Sequence, residues 1–132
     1  MSVIAVGSTT VCAYDVLLPE RGAAALLGDV QIALFRTHAG EVFAIGNQDP
    51  FSGANVMSRG IVGSRGEVPT VASPMFKQVF DLRTGVCLDD PEVVLPVYPV
   101  EVIEGQVVVA ALSDGLARAD GSARADGLAR TR

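Results

Sequence analysis

The chain reads as an antiparallel all-β domain, and three observations lead there. Short segments alternate apolar and polar residues with a period of two. Glycine-bearing turns join segments of strand-like composition, with little helical signal between them. Two loops punctuated by proline and glycine, residues 47–63 and 72–85, each open with a polar residue, a proline and a phenylalanine close together. Two such loops at the end of a β-sandwich make one composite tip. At 132 residues the chain is large enough to bury a core of its own as a single domain.

The elements follow in order. Residues 9–14, Thr-Thr-Val-Cys-Ala-Tyr, are β-branched and aromatic and read as the first strand. Residues 19–22 form a turn, and 23–27 a short apolar run closed by Gly28 and Asp29. Segment 30–36 is a strand with Val30, Ile32 and Leu34 on one face, and Gly40 makes a hairpin into residues 41–45. His38 lies in that hairpin turn, with nothing nearby to make a catalytic dyad. In segment 58–63, Gly60 and Gly63 favour an irregular loop over a helical turn, and 64–67 is a polar excursion.

Residues 68–72 read as a strand whose Pro69 suits a first or edge position. Residues 77–82 are the next strand, turning at Thr84 and Gly85 into 86–88. The acidic turn Asp89-Asp90-Pro91-Glu92 lacks the glycine and alternating ligands of a calcium loop and is expected to be solvated. Residues 95–103 and 106–112, joined at Glu104 and Gly105, complete the domain as a buried closing hairpin. The expected β-sandwich thus has two or three small antiparallel sheets and spans residues 1–112. Residues 113–132 differ in kind: Asp-Gly-Leu-Ala-Arg-Ala, Asp-Gly-Ser-Ala-Arg-Ala and Asp-Gly-Leu-Ala-Arg-Thr follow one another as a low-complexity repeat, expected to be a disordered, flexible tail.

Charge divides unevenly. Segment 49–85 sets Asp49, Glu67 and Asp81 against Arg59, Arg65, Lys77 and Arg83, a net charge of +1. The rest of the first 112 residues has only Arg21 and Arg36 against 9 acids. An acidic body argues against nucleic-acid binding, which calls for a basic stripe. The bases of the loops are either solvated or steer a docking event. No uninterrupted apolar stretch is long enough to span a membrane, and the first residues lack the basic region of a signal peptide, so a cytoplasmic location is expected. Cys12 and Cys87 do not define a disulfide framework and read as small buried apolar residues. Nucleophile–histidine–acid sets, zinc signatures and phosphate-binding glycine loops are all absent from the sequence, so the chain has no catalytic residues of its own and reads as a binding or structural subunit.

Asp49-Pro50-Phe51 and Ser73-Pro74-Met75-Phe76, with the tail Phe80-Asp81-Leu82-Arg83-Thr84-Gly85, resemble the cluster loops of the Rieske iron–sulfur family. That family has Cys-Pro-His in one loop and Cys-Pro-x-His in the other, the second followed by Phe-Asp-x-x-x-Gly. The resemblance places Asp49 and Ser73 where cysteines would stand, and Phe51 and Phe76 where histidines would stand. A Rieske cluster takes two thiolates and two imidazoles, and oxygen donors suit it poorly. Cys12, Cys87 and His38 are one ligand short and lie outside both loops, so neither a [2Fe–2S] cluster nor another metal is expected in this chain.

A narrower set covers roughly residues 8–112: Asp-Pro-Phe, Ser58-Arg59-Gly60-Ile61-Val62-Gly63, Ala72-Ser73-Pro74-Met75-Phe76-Lys77-Gln78, and Asp90-Pro91-Glu92-Val93 with Pro96-Val97-Tyr98-Pro99-Val100. Together these are similar to the small subunits of NAD(P)H-dependent nitrite reductase. The resemblance implies a Rieske-like fold and a cytoplasmic role in nitrate assimilation. It also implies a partner large subunit that carries FAD, a [4Fe–4S] cluster and sirohaem and reduces nitrite to ammonium. The small chain would then act in assembly or tuning. A Rieske ferredoxin serving an oxygenase and a free-standing β-sandwich binding module remain as alternatives.

Two expectations attach to the tip. Phe51 and Phe76 are expected to turn inward, with Met75 or Val56, into the space a cluster would fill; otherwise they point outward as anchors for a partner. Phe51, Arg59, Arg65, Met75, Phe76 and Lys77 are the candidate docking residues.

Overall fold

A computed structural model describes residues 8–110 of the chain. Ten strands run through it: β1 (Ser8–Ala13), β2 (Arg21–Leu27), β3 (Val30–Arg36), β4 (Val42–Gly46), β5 (Ile61–Arg65), β6 (Val68–Ala72), β7 (Val79–Asp81), β8 (Val97–Tyr98), β9 (Val100–Ile103) and β10 (Gln106–Ala110). Two single 3-10 turns, Tyr14–Val16 and Met57–Arg59, are the helical elements among the described residues. The strands form three antiparallel sheets, ordered β1-β10-β9, β2-β3-β4-β8 and β5-β6-β7. The expected antiparallel all-β architecture of small sheets is what is found; the proposed tail at 113–132 lies outside the described residues.

β3 explains how the sheets stack. Val30, on one face with Ile32 and Leu34 by period, is exposed at the end of its hairpin, whereas Ile32, Ala33, Leu34 and Phe35 are all buried. Successive strand residues point to opposite faces, so this run packs on both sides at once. Ala33 and Phe35 join Ile45, Met57, Val71, Phe80, Leu82, Cys87 and Leu95 in one core cluster. Ile32 and Leu34 join Leu17, Leu27, Ala44, Val107 and Val109 in a second. The four-stranded sheet is therefore a middle layer, with β1-β10-β9 against one face and β5-β6-β7 with its loops against the other. Each fully buried phenylalanine, Phe35 and Phe80, contributes roughly 1.5–3 kcal/mol.

Several segments differ from their sequence reading. Arg21 and Gly22 belong to β2, not to the interior of the preceding turn, which Arg21 N closes on Leu18 O (3.2 Å) with Glu20 at φ 64°. Residues 61–65, read as irregular loop and polar excursion, are strand β5, paired with β6 through Ile61–Ala72 to Arg65–Val68. The glycines concealed a strand whose turn is made by Gly66, at φ 61°. Pro69 sits in the middle strand of its sheet, not at an edge. Its carbonyl accepts from Leu82 N at 2.9 Å, so its missing donor faces a position just past the end of β7, where no ladder bond is lost. Strand β7 is three residues, shorter than the expected 77–82. β9 leaves Glu101 and Val102 exposed, so the last hairpin is buried mainly through β10. Glu104 (φ 50°) and Gly105 (φ 79°) give that hairpin its tight turn of the type that matches strand twist.

Candidate functional site

The two loops flank β5-β6-β7: the first joins β4 to β5, and the second joins β6 to β7. Their turns are built alike. Asp49 N donates to Ala54 O (2.8 Å), Gly53 N to Asp49 O (2.7 Å) and Phe51 N to Asp49 Oδ1 (2.8 Å). In the second loop Ser73 N donates to Gln78 O (2.9 Å), Lys77 N to Ser73 O (3.0 Å) and Met75 N to Ser73 Oγ (3.2 Å). A third copy follows β7: Asp81 N to Val86 O (2.9 Å), Gly85 N to Asp81 O (2.7 Å) and Arg83 N to Asp81 Oδ1 (2.8 Å). A short polar side chain thus caps the backbone two residues on. The chain then closes through a left-handed residue: Gly53 at φ 80°, Lys77 at 65° and Gly85 at 81°.

The loops meet at their first polar residues. Asp49 is 0% and Ser73 1% exposed. The Ser73 hydroxyl donates a short hydrogen bond to Asp49 Oδ2. Asp49 Oδ1 accepts from Phe51 N and, at 3.4 Å, from Ser52 N. The buried carboxylate therefore receives three donors, which offsets the cost of burying it. The sequence suggested neither this contact nor its burial. A short polar residue ahead of proline in both loops was the available signal, since Asp and Ser favour such turns.

Asn47 was also missed as an organiser. It is buried; Nδ2 donates to Gln31 Oε1 (3.1 Å) and to Asn55 O (3.3 Å), while Oδ1 accepts from Ser58 N at 2.8 Å. It ties the first loop to β3 and to the Met57–Arg59 turn. Gly22 lets that turn lie flat on β2, because a Cβ there would collide with the Ser58 carbonyl and the Phe35 ring.

The aromatic residues contradict the inward expectation. Phe76 is 57% exposed and Met75 47%. Phe51 is 37% exposed, its ring tilted by 49° to that of buried Phe80 at a centroid distance of 6.3 Å. Val56 is half-buried. The rings do not fill the space between the loops, because the Asp49–Ser73 bond already closes it; Met75 and Phe76 project outward from a turn that buries Ser73.

The bases also separate. Arg65 ends β5 beside the Gly66 turn and pairs with Asp89 at 3.7 Å. Asp89, expected to be merely solvated, also accepts from Val79 N at 2.9 Å. Arg83 lies in the third turn, and its guanidinium contacts Asp81 at 3.3 Å through Nε and Nη2. That hydrogen bond and the Asp81 charge hold the Arg83 proton more firmly than usual. Arg59, at the end of the first loop, and Lys77, in the second, are exposed and make no ion pair among the described residues.

The donor set at the loop junction is thus one carboxylate and one hydroxyl, already bonded to each other, with two phenyl rings beyond. It does not fit a Rieske cluster, which needs two thiolates and two imidazoles. Cys87 is buried in the first core cluster, and Cys12 lies in β1, where burial pushes its thiol up and away from the thiolate form that binds metal. His38 is in the β3–β4 hairpin. No helix among the described residues is long and apolar enough to cross a membrane.

Three layered sheets with two matched loops closing one end define a Rieske-like domain, and the family model described as "Rieske-like [2Fe-2S] domain" matches residues 8–110. The nitrite reductase (NADH) small subunit of Escherichia coli K12 is 44% identical over 98 residues, 74% of this chain and 91% of that protein. A crystal structure from Mycobacterium tuberculosis, proposed to be an NADH-dependent nitrite reductase small subunit, superposes with a TM-score of 0.78 at 57% identity, covering 80% of this chain and 96% of that one. The nitrite reductase [NAD(P)H] large subunit of Klebsiella oxytoca matches at 42% identity over 97 residues, 74% of this chain but 10% of that protein. The chain belongs to the family of nitrite reductase (NADH) small subunits.

Proposed function

We propose that this chain is a cluster-free small subunit of cytoplasmic NAD(P)H-dependent nitrite reductase, serving nitrate assimilation. It binds the catalytic large subunit and supports its assembly or tunes its turnover, without passing electrons. The observation that carries this reading is the Ser73–Asp49 hydrogen bond: where a Rieske domain holds metal, this one holds a neutral hydroxyl against a carboxylate. With no redox centre in the loops, electrons from NAD(P)H to nitrite travel within the large chain, through the FAD, [4Fe–4S] cluster and sirohaem expected there. The small chain's own contribution is a rigid tip, fixed by the two matched turns and by Asn47.

Nitrite-dependent oxidation of NADH or NADPH by the large subunit, measured with and without this chain, tests the reading. Turnover or yield of intact large subunit is expected to fall without it. Identical yield, stability and turnover in both preparations would contradict the proposal. The alternative of an oxygenase ferredoxin is disfavoured by the same loop chemistry, since an electron carrier requires the ligands that Asp49, Phe51, Ser73 and Phe76 replace.

A further inference from the structure

We infer that the composite tip seats on the large nitrite reductase chain, with Phe51, Ile61, Met75 and Phe76 entering an apolar recess and Arg59 and Lys77 meeting carboxylates at its rim. This rests on the reading of the chain as a subunit of that enzyme and adds the face and the chemistry of the contact. Three observations carry it.

The first is exposure. Ile61 is 67% exposed, Phe76 57%, Met75 47% and Phe51 37%, and all four belong to the loops or to the residue where the first loop becomes β5. The Ser73–Asp49 bond draws the two turns together, so their projecting residues share one end of the domain. Exposed apolar side chains, beside two cations that make no ion pair among the described residues, have the composition of an interface centre and its rim.

The second is Lys77. The three matched turns close on Gly53, Lys77 and Gly85, all at positive φ. Glycine adopts that conformation freely, whereas a lysine is strained there. The second turn thus holds an exposed cation, with no ion pair among the described residues, beside Met75 and Phe76. Glu20 (φ 64°) and Glu104 (φ 50°) share the conformation; what sets Lys77 apart is its place among the exposed apolar residues of the tip.

The third is orientation. Outside the loops the domain is acidic, with Arg21 and Arg36 against 9 acids in its first 112 residues, so a partner surface rimmed with carboxylates is repelled elsewhere and drawn to the tip. Ser8 pairs with Ala110, so both ends of the described domain leave from a sheet that contains neither loop. A domain of this kind joined within one polypeptide to a larger chain, as the Klebsiella oxytoca match indicates for that protein, keeps its tip free to dock.

The test is binding of the full chain to the large subunit of the same enzyme, by titration calorimetry, with the melting temperature of each variant measured alongside. Arg59→Glu with Lys77→Glu is expected to weaken binding at least about tenfold, and Glu101→Lys with Glu104→Lys, on the β9–β10 hairpin, to leave it unchanged. Lys77→Gly is expected to raise the melting temperature and still weaken binding several-fold, a combination that a purely structural role does not produce. Unchanged binding by the tip variants, or a loss confined to the Glu101/Glu104 pair or shared equally by both pairs, overturns the assignment of the tip. Failure of the unmodified chain to bind the large subunit instead overturns the subunit reading itself.

Discussion

The hydroxyl of Ser73 is hydrogen-bonded to the carboxylate of Asp49, across 24 residues of sequence and between two loops that have no other side-chain bond to each other among those described. These two buried oxygens fix the separation of the loops. The matched backbone turns around each residue supply the remaining rigidity.

Removing this link is expected to destabilise the domain by an amount that depends on which partner goes. Ser73→Ala leaves Asp49 Oδ2 buried without its donor and is expected to cost about 1–3 kcal/mol. Asp49→Ala strands three donors at once, Phe51 N, Ser52 N and Ser73 Oγ, and is expected to cost more. Urea unfolding of both variants measures the difference; negligible losses in both would mean the link carries little of the tip's stability.

Lys77→Gly is expected to stabilise the isolated domain by up to about 1 kcal/mol, because relief of left-handed strain outweighs the added freedom of glycine in the unfolded chain. The matching change Gly53→Lys is expected to destabilise by a similar amount, since it imposes on the first turn the strain that the second already bears. Thermal and denaturant melts of the pair settle the sign. A destabilised Lys77→Gly protein would show that the lysine side chain makes a stabilising contact within the fold.

Restoring the ligand set tests whether the loops remain competent for metal. Asp49→Cys, Phe51→His, Ser73→Cys and Phe76→His together are expected to give at most partial incorporation of a Rieske-type cluster, read by visible absorption and iron content. The ligands alone do not reproduce the hydrogen bonds that orient them and tune the metal. Full incorporation would show that only the four ligands were lost.

Much of the sheet structure was legible in the sequence, because hairpins announce themselves locally: alternation in β3, Gly40 after it, and Glu104-Gly105 between β9 and β10. What failed depended on tertiary packing. β5 was hidden by Gly60 and Gly63, and only its pairing with β6 makes it a strand. The double-sided burial of β3 follows from its place in a middle layer, which no local pattern specifies. At the tip, the pairing of the two loops was legible from their shared polar–proline–phenylalanine openings, but the geometry of Asp49, Phe51, Ser73 and Phe76 was not. Aromatic character suggested burial for Phe76, whereas the turn around Ser73 turns the polar residue inward and the ring outward. The pairing of Arg65 with Asp89 and of Arg83 with Asp81, which leaves Arg59 and Lys77 without an ion pair among the described residues, likewise required the fold.

The central claim, that this subunit works without a redox centre of its own, is tested most directly by the visible spectrum and iron content of the full chain purified without exposure to air. The account predicts a featureless visible region and iron at background level. Rieske-type absorption bands with iron and sulfide in stoichiometric amount would contradict it.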